Sequence, residues 1–85
     1  MKNLSKIDIV CLKDLERQEK ISYIKSLEVK KFTIVSSGAL KYNTVYKRLE
    51  RLKELGLIDY GALSGNAKTY YITNIGLEIL NKIQN

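Results

Sequence analysis

The stretch that decides the fold is Asn43-Thr44-Val45-Tyr46-Lys47-Arg48-Leu49-Glu50-Arg51-Leu52-Lys53-Glu54-Leu55-Gly56-Leu57-Ile58. Val45, Leu49 and Leu52 stand at i, i+4 and i+7, which puts them on one side of an α-helix as a single apolar stripe. Asn43 or Thr44 supplies an N-cap oxygen for the free amides of the first turn. Gly56 follows the last turn, where a left-handed residue costs least as glycine. The spacing therefore predicts a helix over 43–55, with Leu57-Ile58-Asp59-Tyr60 leaving it as a strand.

Downstream, Thr69-Tyr70-Tyr71-Ile72-Thr73 is a second β-type run, and the turn-rich segment 61–68 separates the two. This is a β-hairpin with Lys68 near its tip. Tyr70 and Tyr71 alternate across the strand, so one is expected in the core and the other outside. Thr73 or Asn74 caps a final helix over 75–84, with Ile75, Ile79 and Ile83 spaced four apart and Leu80 beside them.

Upstream, Leu4, Ile7, Cys11 and Leu15 predict a helix over 4–17 with Ser5 as its N-cap, although the run Ile7–Leu12 also admits a strand. Ile21, Ile24 and Leu27 predict a second helix over 19–29. The β-branched patch Phe32-Thr33-Ile34-Val35 invites a short strand at its start.

Charge is distributed unevenly. Lys20, Lys25, Lys30, Lys31, Lys41, Lys47, Arg48, Arg51 and Lys53 face only Glu28 and Glu50 within 20–53, a net +7 in a chain whose total is +6. A basic segment of this kind attracts polyanions, of which nucleic acid is the commonest. A face kept basic for solubility has the same composition.

Several function classes are disfavoured. Histidine is absent, which removes the commonest general base and metal ligand. One cysteine and scattered carboxylates make no metal constellation, and no glycine-rich phosphate loop is present. The expectation is a non-enzyme without cofactor or metal. No apolar run approaches the ~20 residues of a membrane helix. A single cysteine needs no oxidising compartment, so a reduced, cytoplasmic setting is expected. Cys11 reads as a small buried apolar residue, with no second cysteine to make it a redox sensor.

The stretch Thr44–Ile58, with its form Thr-Val-x-x-Arg-Leu-x-x-Leu-x-x-x-Gly-Leu-Ile, resembles the recognition helix and first wing strand of winged helix-turn-helix regulators of the MarR, ArsR and TrmB-like groups. Tyr70–Leu80 is similar to the usual ending of that fold. Ile34-Val35-Ser36-Ser37-Gly38-Ala39-Leu40-Lys41-Tyr42-Asn43-Thr44-Val45 resembles the helix-turn-helix. In that reading Ile34 and Leu40 are core residues, Ala39 is the small residue of the turn, and 34–40 is helical. Gly38 stands where a large apolar residue is usual, so this first helix is expected to be short.

The resemblance implies a mostly α fold with a small antiparallel β-wing (α+β), in one domain over 1–85. Its parts are an N-terminal helix (4–17), a winged-helix core (18–74) and a C-terminal helix (75–84). It implies double-stranded DNA as partner, a homodimer built on the outer helices, and transcriptional regulation. A winged-helix adaptor for other proteins and a non-specific architectural DNA- or RNA-binding protein are the alternatives. Abundant Lys, Ile, Tyr and Asn without Pro or His fit a low-GC source of archaeal, viral or plasmid type.

With the stripe turned inward, Asn43, Lys47 and Glu50 point away from the core, flanked by Tyr46 and Arg51. Asn43 is placed to read adenine, and Lys47 or Arg51 to read guanine or grip phosphate. Tyr42 and Thr44 suit phosphate, as do Lys30, Lys31 and Lys41. On the hairpin, Ser64, Asn66 and Lys68 would follow the backbone or minor groove. Arg48, close to the stripe, is expected in an ion pair within the protein. Glu50 and Glu54 are expected to pair with Lys47 or Lys53 along the helix.

Overall fold

The structure, a computed structural model, describes residues 4–84. Helix α1 spans Lys6–Arg17 and is opened by a reciprocal capping box: Asp8 N donates to Ser5 Oγ (3.2 Å) and Ser5 N to Asp8 Oδ2 (3.0 Å). Cys11, Leu12 and Leu15 are its buried face. Burial, with Asp8 and Asp14 nearby, pushes the Cys11 thiol up to about 12, so it stays protonated and packs as an apolar group.

The helix expected over 19–29 does not form. The chain leaves α1 through Glu19 at φ 57, and 21–26 is irregular. Leu27–Glu28 is then strand β1, followed by a 3-10 turn at Val29–Lys31. The helical spacing of Ile21, Ile24 and Leu27 loses to two competitors. Ser22 Oγ accepts the amide of Lys25 (3.1 Å), which holds a local turn, and the free edge of a distant strand takes Leu27 and Glu28 into a ladder. Of the three apolar residues only Leu27 is buried.

The strand expected at Phe32 is likewise absent. Helix α2 begins at Thr33 and ends at Ser36, a single turn where 34–40 was expected to be helical. Its N-terminus is capped from α1: the buried carboxylate of Asp14 accepts from Thr33 N (2.7 Å) and Thr33 Oγ1 (3.0 Å). Burial disfavours the charged form of Asp14. The bonds from Thr33 and Gln18 and the Arg17 guanidinium outweigh it and hold the carboxyl below the usual range. The turn through Ser37 and Gly38 leads to the next helix, and Ile34 and Leu40 pack half-buried on the core.

Helix α3, Tyr42–Glu54, buries Val45, Leu49 and Leu52. Its N-cap is Lys41, with no side-chain capping bond, so neither Asn43 nor Thr44 caps it. Both lie inside the first turn and are exposed. The C-terminus is a Schellman motif: Leu57 N donates to Leu52 O (3.1 Å) and Gly56 N to Lys53 O (3.0 Å), with Gly56 at φ 81.

Strands β2 (Ile58–Tyr60) and β3 (Thr69–Ile72) form the expected hairpin. β1 joins β3 on its other side, so the sheet has three antiparallel strands in the order β1-β3-β2. The register sets Leu27 against Tyr70 and Ile58 against Ile72. Tyr70 is buried and Tyr71 half-buried.

Thr73 caps helix α4 (Asn74–Gln84), accepting from Gly76 N (3.1 Å) while donating to Gly56 O (2.7 Å). One hydroxyl thus ties the end of α3 to the start of α4. Gly76 presses against this corner: a Cβ there would lie 2.1 Å from Leu57 O and 2.7 Å from Ile72 Cγ1. Leu80 enters the core, whereas Ile75 and Ile83 are exposed. The core joins α1, α3, the sheet and α4 around Leu12, Leu15, Phe32, Leu49, Leu52, Tyr70 and Leu80.

Two outcomes follow from these contacts. Gly76→Ala forces backbone apart at the α3–α4 corner and is expected to cost about 1–3 kcal/mol in urea denaturation, without changing far-UV circular dichroism. Asp14→Asn removes a charge-assisted cap, at a cost of about 1–2 kcal/mol at neutral pH. The Asp14 pKa is lowered by folding, so its stabilisation is present above the unfolded value of about 3.9 and disappears as pH falls through the folded value. Wild type and Asp14→Asn should therefore converge in stability on the acid side.

Candidate nucleic-acid interface

The exposed side of α3 is set by what its two flanks hold. On the α1 side, Arg48 and Arg51 lie 4.0 Å and 3.8 Å from the carboxylate of Asp8, which is fully buried. Asp8 Oδ1 has no hydrogen bond, so the two guanidiniums and the Ser5 amide on Oδ2 are what offset its charge. The Arg48 ion pair is as expected. Arg51, expected beside the outer face, is turned to the same carboxylate. A signal for this was present in the sequence: one aspartate inside the apolar run Ile7–Leu12 must find cations if that run is buried.

On the wing side, Glu50 does not pair along the helix with Lys47 or Lys53. Its carboxylate accepts from Tyr70 Oη (2.5 Å) and Tyr60 Oη (2.7 Å), and Lys68 Nζ lies 3.9 Å away. Burial opposes the charge on Glu50, but the two tyrosine hydroxyls, Lys68 and Lys53 hold its pKa below the usual value. The tyrosines answer in the opposite sense. Burial and the Glu50 bond push Tyr70 well above the phenol range, and the Glu50 bond raises Tyr60. Lys68 Nζ donates to Tyr46 Oη (3.2 Å) and sits over the rings of Tyr46 (5.6 Å) and Tyr60 (4.9 Å). The bond to Tyr46 raises its pKa. Lys53 sits over Tyr60 at 4.9 Å. No local pattern announced this cluster, because Glu50, Tyr60, Lys68 and Tyr70 meet only when the hairpin folds back on α3.

Between these flanks, Asn43, Thr44 and Lys47 are exposed, as are Lys41 and Tyr42 just before them. Among the described residues, Lys41 and Lys47 make no ion pair. Tyr42 stacks on Tyr46 with ring centroids 6.3 Å apart and 15° between planes. Of the residues singled out in the sequence, Lys41, Tyr42, Asn43, Thr44 and Lys47 are exposed at the start and along the first turns of α3, Tyr42, Tyr46 and Lys68 meet on its wing side, and Arg51 lies on its α1 side. Asn66 is exposed on the hairpin turn beside Gly65, beyond that cluster. Ser64 is folded back, donating to Glu28 Oε1 (2.7 Å), and Lys30 (3.6 Å) and Lys31 (3.8 Å) pair with the same glutamate. The bond from Ser64, aided by the two lysines, lowers the Glu28 pKa.

A family model described as winged helix-turn-helix matches residues 5–85. The chain belongs to the winged helix-turn-helix family. Among solved structures, the winged helix superposes on TubR from Bacillus megaterium pBM400 with a TM-score of 0.80 at 19% identity, covering 98% of this chain and 89% of that one. It also superposes on a PadR family transcription regulator from Clostridium difficile R20291, with a TM-score of 0.71 at 26% identity, covering 94% and 84%. No curated protein matches by sequence. The α+β winged-helix architecture expected from Thr44–Ile58 is therefore the one found. No described helix is long and apolar enough to cross a membrane.

Within this site, Glu50→Ala leaves the buried Tyr70 hydroxyl without its acceptor and is expected to cost about 1–3 kcal/mol in urea denaturation. Glu50→Gln keeps an acceptor oxygen and should lose clearly less. Equal losses in the two variants would contradict the bonding described.

Proposed function

We propose that this winged helix is a sequence-specific, duplex-DNA-binding transcriptional regulator. Helix α3 enters the major groove, and the wing over 57–73 follows the backbone or minor groove. The observation that carries the reading is the sorting of charge on α3: its one mid-helix acid, Glu50, is engaged by the wing, while Lys41, Asn43, Thr44 and Lys47 face outward together. A positive helix face with a free amide near its N-terminus is what major-groove readout requires. The PadR family neighbour, a transcription regulator, supports the same reading.

In this assignment Asn43 and Lys47 contact base edges, and Lys41, Tyr42 and Thr44 contact phosphates. Tyr46 and Lys68 form the border between helix and wing, where the Lys68 ammonium reaches the backbone from a fixed position. Asn66 extends from the wing tip. Arg51, shared with Asp8, is a phosphate contact at the α1 margin. The Thr44–Ile58 pattern favours a MarR-, ArsR- or TrmB-like subtype, and the composition an archaeal, viral or plasmid source. We also assign a homodimer, formed through α1 and α4, which leave Val10, Ile75 and Ile83 exposed.

Fluorescence anisotropy of a labelled duplex from the promoter of the protein's own gene, against a random duplex and across a salt series, tests this reading. Lys47→Ala should cost about 1–3 kcal/mol on the promoter and narrow its margin over random DNA. Lys41→Ala should weaken both duplexes alike and reduce the salt slope by about one. Equal binding of the two duplexes by wild type would make the protein a non-specific architectural binder. Absence of binding to either at low salt would sink the DNA reading.

A further inference from the structure

Arg48 and Arg51 share one buried acid on the α1 side of α3. Arg48 Nη1 lies 4.0 Å from Oδ1 of Asp8, and Arg51 Nη1 lies 3.8 Å from Oδ2. A guanidinium hydrogen-bonded to a carboxylate stands about 2.7–2.9 Å from it. At the longer distances both arginines are held by charge, and neither spends an N–H donor on Asp8. Oδ1 accepts no hydrogen bond. The acid is enclosed, at 0% exposure, whereas the arginine side chains are 35% and 43% exposed. An anion arriving from solvent therefore meets two guanidiniums whose donors Asp8 does not occupy, with the carboxylate behind them.

The position of the pair says which anion. Arg48 and Arg51 are three residues apart, so they neighbour each other on the helix surface. Exposed Thr44 stands four residues before Arg48 and seven before Arg51, which places all three along one margin of α3. The strip is about 10 Å long at 1.5 Å per residue and borders the outer face that carries Asn43 and Lys47. A duplex whose base edges meet that face brings phosphates to its margins. Two cations and one anion leave the Arg48–Arg51–Asp8 group a single positive charge, enough to neutralise one phosphate. We propose that Arg48 and Arg51 together form a phosphodiester site, and that Asp8 behind them limits how tightly it binds. Each guanidinium that turns to phosphate leaves the buried carboxylate less compensated, and that cost opposes binding. The proposal rests on the DNA reading above. It adds Arg48 to the contacts and gives a residue of α1 control over their strength.

The test is the salt-series anisotropy of promoter and random duplexes, run on full-chain variants. Asp8→Asn keeps an oxygen for the Ser5 amide and removes the opposing charge. It should tighten both duplexes by about three- to tenfold and steepen the salt slope by about one. Arg48→Gln and Arg51→Gln should each weaken both duplexes by a similar factor and flatten the slope by about one. Glu16→Gln adds the same charge about 12 Å further along α1, beyond a screening length of about 10 Å at 0.1 M salt. It should change neither duplex by more than about twofold. Thermal melts establish that each variant is folded at the assay temperature. Weaker or unchanged binding by folded Asp8→Asn overturns the proposal, because the acid would then present the arginines or leave them alone. An equal gain in Glu16→Gln overturns it too, by making the effect one of overall charge. Should Asp8→Asn not fold, the arginine variants decide: an unchanged slope in both overturns the site, and a fall of about one in each supports it. In all these outcomes wild type still binds DNA, so the DNA reading stands apart from the proposal. Wild type that binds neither duplex ends that reading, and the phosphate site with it.

Discussion

The carboxylate of Glu50, accepting from the hydroxyls of Tyr60 and Tyr70, is the contact on which the functional surface depends. Helix α3 could bury Val45, Leu49 and Leu52 and still leave the hairpin free to swing. Two hydroxyls from neighbouring strands on one carboxylate remove that freedom, because each bond fixes the distance of a different strand from the same turn of helix. Charge-assisted bonds of this type are stronger than neutral ones, and the buried Tyr70 hydroxyl would be costly to leave unpaired. Lys68 then comes to rest over Tyr46 and Tyr60 as part of the same cluster.

The same economy governs the other acids near the basic segment. Asp8 holds Arg48 and Arg51, Asp14 caps α2, and Glu28 collects Ser64, Lys30 and Lys31. Each of these acids is placed where it organises structure, and Glu54, exposed at the end of α3, is an acid left on the side that Asn43 and Lys47 present. The exposed lysines owe their availability to this arrangement more than to their number. Ion pairs at the rim of such a fold contribute modestly to stability, and their effect here lies in orientation.

Much of the fold could be read from local chemistry. Ser5, Gly56 and Thr73 mark helix ends by bonds that each residue makes within a few positions of itself. The stripe on α3 and the alternation in Thr69–Ile72 follow from helix and strand periods. Gly38 correctly foretold a short first helix in the helix-turn-helix. What misled was a pattern without its competitor. Ile21, Ile24 and Leu27 have helical spacing, yet β3 offered an open edge to Leu27 and Glu28, and Ser22 turned the chain. Asn43 and Thr44 have capping chemistry, yet the helix begins at Tyr42 and leaves both side chains facing out.

By itself, the sequence determined where α1, α3, α4 and the hairpin lie, that the middle of the chain is basic, and that the fold is a winged helix. These properties reside in spacings of a few residues and in composition, and at these elements no distant contact competes with them. Only the tertiary structure decided which charged groups remain free. Arg51 and Lys47 are four residues apart on one helix, but one lies against Asp8 of α1 and the other faces solvent. Glu50 met Tyr60 and Tyr70 instead of a lysine on its own helix. A side chain is oriented by the groups that surround it from all elements, and those neighbours come from segments up to 43 positions distant, as in the ion pair of Arg51 with Asp8 or the hydrogen bond from Ser26 to Thr69.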